Sequence, residues 1–304
     1  MAAVLEIKNV SKWFGARHIL NDISFNVNEG EIFGFLGPNG AGKTTTIKMI
    51  ARLLKTKHGE IFINGYNVMH QPTEALERVG GIIENPEMYN YLSGYDNLKL
   101  HARMSTNVSE KRIEEVVDHV GLRDRIKDKV KRYSLGMKQR LGIAQALLHS
   151  PNLLLLDEPT NGLDPAGIKQ LRDLFKKICK EYKVAILVSS HLLGEMEQMC
   201  DKVGIISRGS MVGFKSFDEI NHNKFIYHIE TNDNLKALEL ITLTTPATIL
   251  DNFIVIEMEK EQTPEIVNSI TNAGVSIYSV VPKRKSLEQE YLEITLTEGL
   301  GDRS

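Results

Sequence analysis

The sequence predicts an α/β domain interrupted by a mainly helical insert and followed by a smaller α+β domain. Three observations carry this reading. An apolar run at residues 31–36 leads into a glycine-rich stretch, 37–45, and then into Ile47, Ile50, Leu53 and Leu54 at helical spacing. From about Asn85 the pattern turns helical, and strand-like runs resume at Leu153. Beyond about residue 219, strands and helices alternate afresh without a cluster of catalytic residue types. The expected domains are 1–218, with its helical part at about 86–150, and 219–304.

In chain order, residues 5–10 (LEIKNV) and 23–27 (ISFNV) alternate apolar and polar side chains, as half-buried antiparallel strands do. Trp13 and Phe14 lie between them. One of them can stack on a nucleotide base, with core packing as the alternative; successive strand side chains point opposite ways, so at most one should do so. Residues 37–45 (GPNGAGKTT) fit G-x-x-x-x-G-K-[ST], with Gly37, Gly42, Lys43 and Thr44 at the fixed positions. Gly37, Gly40 and Gly42 let the backbone turn several N–H groups inward, and the helix start adds partial positive charge. The stretch reads as a phosphate cradle. Lys43 can then reach the β- and γ-phosphates of a nucleotide, and the Thr44 hydroxyl can ligate Mg²⁺.

Residues 59–65 read as a strand with a turn, 72–79 as a short helix and 81–84 as a brief strand ending in Glu84. The insert holds a helix at 95–104, a second with Ile113, Val116, Val117 and Val120 on one face, and a third from near Ser134 to Pro151. Residues 153–158 (LLLLDE) form an apolar strand ending in two acids. There Asp157 can hold Mg²⁺ through its water shell, and Glu158 can deprotonate the water that attacks the γ-phosphate. A long helix follows, with Ile168, Leu171, Leu174, Phe175 and Ile178 as its buried stripe. Strand 184–188 leads to Ser189, Ser190 and His191, then helix 192–200 and strand 203–206. A lone histidine at a strand end is commonly a satisfied polar residue, but His191 arrives where a γ-phosphate sensor would sit. The second domain reads as strands 225–230, 253–258 and 275–281, with helices 234–241, 264–272 and one from Ser286. Thr263 is the expected cap of the middle helix, with Pro264 in its first turn and Gly274 past its end.

Composition narrows the function classes. A net charge of -2 gives no electrostatic footprint for nucleic acid. Cys179 and Cys200, each at the polar end of an apparent helix, are no disulfide framework and suit a reducing cytosolic compartment. The first residues have no apolar leader core, and no run approaches the roughly eighteen apolar residues that span a bilayer. Work at a membrane would need a partner to supply the membrane part.

With these residues in place, residues 1 to about 215 resemble the ATP-binding subunit of an ABC transporter, a P-loop NTPase with an antiparallel β subdomain and a helical insert. Residues 133–137 (YSLGM) stand at that family's LSGGQ signature and KQRLGIA follows as its helix should. Residues 161–164 (NGLD) match its D-loop, and His191 its switch histidine. The resemblance implies ATP and Mg²⁺ as cofactors. It implies nucleotide contacts from Phe14 on the adenine, from Gly37, Pro38, Asn39, Gly40, Ala41, Gly42, Lys43, Thr44 and Thr45, and from Ser134, Gly136 and Asp164. Thr44, Asp157 and Glu84 are the implied metal residues, and Lys43, Glu158 and His191 the catalytic ones. It further implies a homodimer glued by nucleotide, a separate integral membrane permease that docks near residues 88–92, and a place on the cytoplasmic face of the membrane. No nucleic acid is expected.

Two departures matter, the first of which weakens a strict match to the signature without removing its phosphate-binding groups, Ser134 and Gly136. Leu135 and Met137 replace glycine and glutamine of the signature, and Glu84 replaces the Q-loop glutamine. A glutamate there, together with the C-terminal extension, resembles the branch serving bacitracin resistance and lantibiotic immunity, which implies export. Two other readings compete. A soluble ATPase of the same family acting on ribosomes or DNA would usually carry a second ATPase module or a long coiled coil. A GTP-dependent switch would need an N-K-x-D motif, which the chain lacks.

Overall fold

Two long strands, β1 (Ala3–Phe14) and β2 (Arg17–Asn28), pair antiparallel, and their alternating apolar residues face a common core. β3 (Ile32–Leu36) is buried at every position and runs directly into the glycine-rich loop and α1 (Lys43–Ile50). β4 (His58–Ile63) and β5 (Tyr66–Asn67) complete an antiparallel sheet of order β2-β1-β4-β5. After α2 (Pro72–Leu76) comes β6 (Val79–Ile82), an edge strand of the central sheet. The computed structural model describes residues 3–105, 108–217, 224–242 and 245–283, and the chain divides into two units, 1–218 and 219–304.

Three helices form the insert: α3 (Gly94–Met104), α4 (Glu110–His119) and α5 (Leu135–Leu147). Each opens on a serine, Ser93, Ser109 and Ser134, whose hydroxyl accepts an N–H three residues on. Such caps each contribute about 1 kcal/mol. The chain then returns to the sheet through β7 (Leu153–Leu156), α6 (Pro165–Tyr182), β8 (Ala185–Ser190), α7 (Leu193–Met199), β9 (Lys202–Ser207) and β10 (Ser210–Ser216). The central sheet has the order β10-β9-β3-β8-β7-β6, parallel except for the edge strand β10. β3, β7 and β8 lie in its interior, so they read as unbroken apolar runs.

The second unit is a four-stranded antiparallel sheet built from β11 (Lys224–Thr231), α8 (Asn234–Thr242), β12 (Ala247–Leu250), β13 (Phe253–Glu259), α9 (Thr263–Asn272) and β14 (Ile277–Lys283). Its strand order is β12-β13-β11-β14, and α8 and α9 bury Ala237, Ile241, Ile266 and Ile270 against Ile229, Ile254, Ile256 and Met258.

Several expectations need correction. Val79 begins a strand instead of ending a helix, because it pairs with Leu153 at the sheet edge. β10 and β12 were not legible as strands: β10 carries lysine, serine and glycine on an edge, and β12 has only four residues. Thr263 is not a cap; it is the first residue of α9 behind Gln262, and its hydroxyl is buried without a hydrogen bond. Cys179 and Cys200 are buried, and burial raises both thiols, Cys179 to about 12. The helix expected from Ser286 lies outside the described residues.

Since residues 1–218 have their own core, a chain ending at Asp218 should keep a cooperative thermal transition. A melt followed by circular dichroism that shows no transition would count against independent folding of this unit.

Candidate functional site

The loop after β3 is shaped by two glycines for different reasons. Gly37 has no left-handed φ; a Cβ there would stand 2.3 Å from the Ile206 carbonyl, so only glycine allows the close approach. Gly42 sits at φ 112°, which a side chain resists, and a Cβ would strike Leu20 at 2.4 Å. Ala41 N–H closes a turn on Pro38 O at 3.2 Å, leaving Pro38, Asn39 and Gly40 exposed at the rim. The first intrahelical bond of α1 runs from Thr46 N–H to Gly42 O at 2.9 Å. The N–H groups of Lys43, Thr44 and Thr45 therefore have no acceptor within the helix, and with the helix dipole they present a positive face to an anion.

Behind that face, buried Lys43 Nζ lies 2.8 Å from Gly37 O, 3.2 Å from Pro38 O and 3.1 Å from Glu158 Oε1. Both carboxylate oxygens of Asp157 are hydrogen-bonded, Oδ2 to Thr44 Oγ1 at 2.8 Å and Oδ1 to Ser189 Oγ at 2.6 Å. The same Ser189 oxygen accepts the Glu158 N–H at 2.9 Å. Glu158 follows β7 with φ 47°, a left-handed conformation uncommon for glutamate. That turn brings Oε2 to 2.6 Å from Asn161 Nδ2 and 3.0 Å from His191 Nδ1, which must be the donor to a carboxylate. Burial opposes ionisation of Glu158, but hydrogen bonds from Asn161 and Lys43 and the Lys43 charge outweigh it and hold the carboxyl below its ordinary value.

The structure thus gathers Lys43, Thr44, Asp157, Glu158 and His191 at one place, at the C-terminal ends of β3, β7 and β8. Sequence reading gave no role to Ser189 or Asn161. Ser189 links the two acids, and its only sequence signal is its place in the Ser-Ser-His run that ends β8. Ser134 and Gly136 stand elsewhere, at the start of α5. Ser134 caps Met137 N–H at 3.3 Å, and among the described residues no hydrogen bond joins it to the glycine-rich loop. Leu135 reaches the segment before α6: a Cβ on Gly162 would meet it at 3.0 Å. Asp164 caps α6 through Gly167 N–H at 2.9 Å.

At the end of β1 both aromatics are accessible, Trp13 at 41% and Phe14 at 49%. Trp13 is already stacked on His18, with ring centroids 4.1 Å apart, and edge-on to His58. Phe14 carries Lys12 Nζ at 5.3 Å from its ring centroid. Glu84, at φ 69°, is ion-paired to Lys48 at 2.6 Å. Next to it a groove of about 680 Å³ is lined by Pro86, Met88, Tyr89, Leu100, His101 and Met104, among others. Tyr89 and Tyr91 are exposed and meet edge to face at 5.7 Å.

Residues 20–161 match the family described as ABC transporter. The ABC transporter ATP-binding protein YhcH of Bacillus subtilis is 46% identical over 300 residues, 97% of each chain. The bacitracin transport ATP-binding protein BcrA of Bacillus licheniformis is 37% identical, covering 97% of this chain and 98% of that one. A solved structure of an ATP-binding subunit of an ABC transporter superposes with a TM-score of 0.63 at 34% identity, covering 71% of this chain and 91% of that one.

The depressed carboxyl of Glu158 has a pH signature. A carboxyl whose folded value lies below its unfolded value contributes stability above the unfolded value, and loses it as pH falls through the folded one. Between about pH 5 and 3 the melting temperature of the unmodified chain should fall more steeply than that of Glu158→Gln. Parallel curves would mean that this carboxylate gains nothing from its partners.

Proposed function

Because this chain belongs to the ABC transporter family as an ATP-hydrolysing, ATP-binding subunit, we propose that two copies close around ATP to drive a separate permease exporting peptide antibiotics. The observation that carries the catalytic part is Glu158, held by Lys43, Asn161 and His191 beside the hydrogen-bonded Asp157–Thr44 pair. A triphosphate entering the loop competes with Glu158 for the Lys43 ammonium. When Lys43 turns to the phosphates, Glu158 loses a partner that depresses its basicity and is better able to take a proton from water. His191, on the other side of the same carboxylate, donates its Nδ1–H to it and so orients it toward the place proposed for the γ-phosphate. Phe14, whose neighbour Trp13 is occupied by His18, is the adenine platform.

The residues fit a magnesium ion bound with nucleotide. Thr44 Oγ1 and Asp157 Oδ2, 2.8 Å apart, are hard oxygens at one point, with Glu84 on the neighbouring loop. Among the described residues no group of three or more His, Cys, Asp or Glu side chains could hold a metal by itself, so phosphate oxygens and water must complete the shell. When bound, the ion neutralises charge on the β- and γ-phosphates.

Ser134 and the amides at the start of α5 form a second anion-binding helix start, separate from the loop in this chain, which suits the γ-phosphate held by a second copy. Among the described residues no helix is long and apolar enough to cross a membrane. A permease of another chain, seated on the groove beside Tyr89, would hold this subunit at the cytoplasmic face of the membrane. The peptide-antibiotic substrate rests on BcrA, named for bacitracin transport, whose similarity extends through the second unit.

Replacing Glu158 by Gln keeps the shape and removes the base, so turnover should fall about 100-fold or more while ATP binding survives. Gel filtration of that variant with ATP should show a dimer, and adding Ser134→Arg should return it to monomer. A dimer that persists with Arg at the signature would exclude Ser134 from the contact between copies.

A further inference from the structure

Lys48 has no part in the assignments above. It lies one helical turn after Thr44 on α1, so the two side chains share a face of that helix. Its Nζ is 2.6 Å from Glu84 Oε1, and this contact closes a ring. Thr44 Oγ1 donates to Asp157 Oδ2 at 2.8 Å, Asp157 N–H donates to Ile82 O at 2.9 Å, and Glu84 follows Ile82 by two residues. Lys48 then returns from Glu84 to the helix that carries Thr44.

The pair is poorly explained by stability. Its side chains are 31% and 62% exposed, and exposed ion pairs contribute little to folding. Glu84 also holds φ 69°, a region that disfavours residues with a Cβ. What the contact does fix is the position and charge of a carboxylate beside a site built for a triphosphate. An unpaired acid there would repel phosphate oxygens and draw a divalent cation; a paired one does neither strongly.

We propose that Lys48 is a positioning residue that pins Glu84 to the P-loop helix and compensates its charge, thereby setting how strongly nucleotide binding depends on the divalent cation. The inference rests on the ATP-binding reading of the loop. It accounts for how an acid is accommodated at Glu84: the compensating cation comes from α1 itself.

The test is equilibrium titration of a fluorescent N-methylanthraniloyl ATP analogue, with excess Mg²⁺ or with EDTA. The full chain is compared with Lys48→Met, Glu84→Gln and the double variant. Lys48→Met should raise the ratio of Kd in EDTA to Kd in Mg²⁺ by about threefold or more. On top of Glu84→Gln the same change should move that ratio by less than about 1.5-fold, since the residue Lys48 acts through is gone. Lys48→Arg, which keeps the charge, should stay within about twofold of the unmodified chain. An equal effect of Lys48→Met in both backgrounds, or none in either, overturns the proposal. If the Met variant melts early, Lys48→Gln is measured in its place with the same expectations. Failure of the unmodified chain to bind the analogue would instead strike at the nucleotide site itself.

Discussion

Asp157 accepts hydrogen bonds on both carboxylate oxygens, and those two bonds tie together three elements distant in sequence. Thr44 brings the start of α1, Ser189 brings the end of β8, and Asp157 itself directly follows β7. With Oδ1 and Oδ2 fixed, the carboxylate plane is set, and the next residue is aimed by its left-handed φ and by its N–H on Ser189. The placement of Glu158 is therefore inherited from Asp157. The parallel order β3-β8-β7 makes this possible, because it brings the C-terminal ends of the three strands to the same edge of the sheet.

Electrostatics in this cluster runs on competition for one cation. Lys43 is buried, and its three donors meet two backbone carbonyls and the Glu158 carboxylate. A buried ammonium needs such partners, since leaving it unpaired in a low-dielectric site would be costly. The same contacts give the enzyme a built-in coupling. Any anion that wins Lys43 changes the basicity of Glu158, so under the role proposed for that carboxylate binding and chemistry would share one side chain. Glu158, which takes part in this exchange, and Glu84, on the loop after β6, both hold a left-handed φ.

The second unit was legible in outline because its strands alternate: Tyr227, Ile229, Ile254, Ile256 and Met258 are the helix-facing positions and are buried. Its details were less so. Thr263 and Pro264 suggested a cap and a first turn, yet a 3₁₀ turn at Lys260–Gln262 leads directly into α9, so the boundary moved one residue. Short edge strands such as β12 carry too few residues for a periodic signal and form because β13 is available to pair with them.

By itself the sequence determined the glycine-rich loop, the paired acids at the end of an apolar strand and the histidine after the next one, because each is a local pattern whose chemistry depends on neighbours within a few residues. It also determined the break near residue 219, where one periodic program ends and another begins. Only the tertiary structure decided which partners those groups would meet. Ser189 joins Asp157 across 32 positions and Lys48 meets Glu84 across 36, and no spacing rule reports such contacts. They arise when the parallel sheet brings strand ends together and a side chain of α1 reaches the loop after β6. The glycine pattern of the loop is therefore local, while the charge balance around it is set by the tertiary fold.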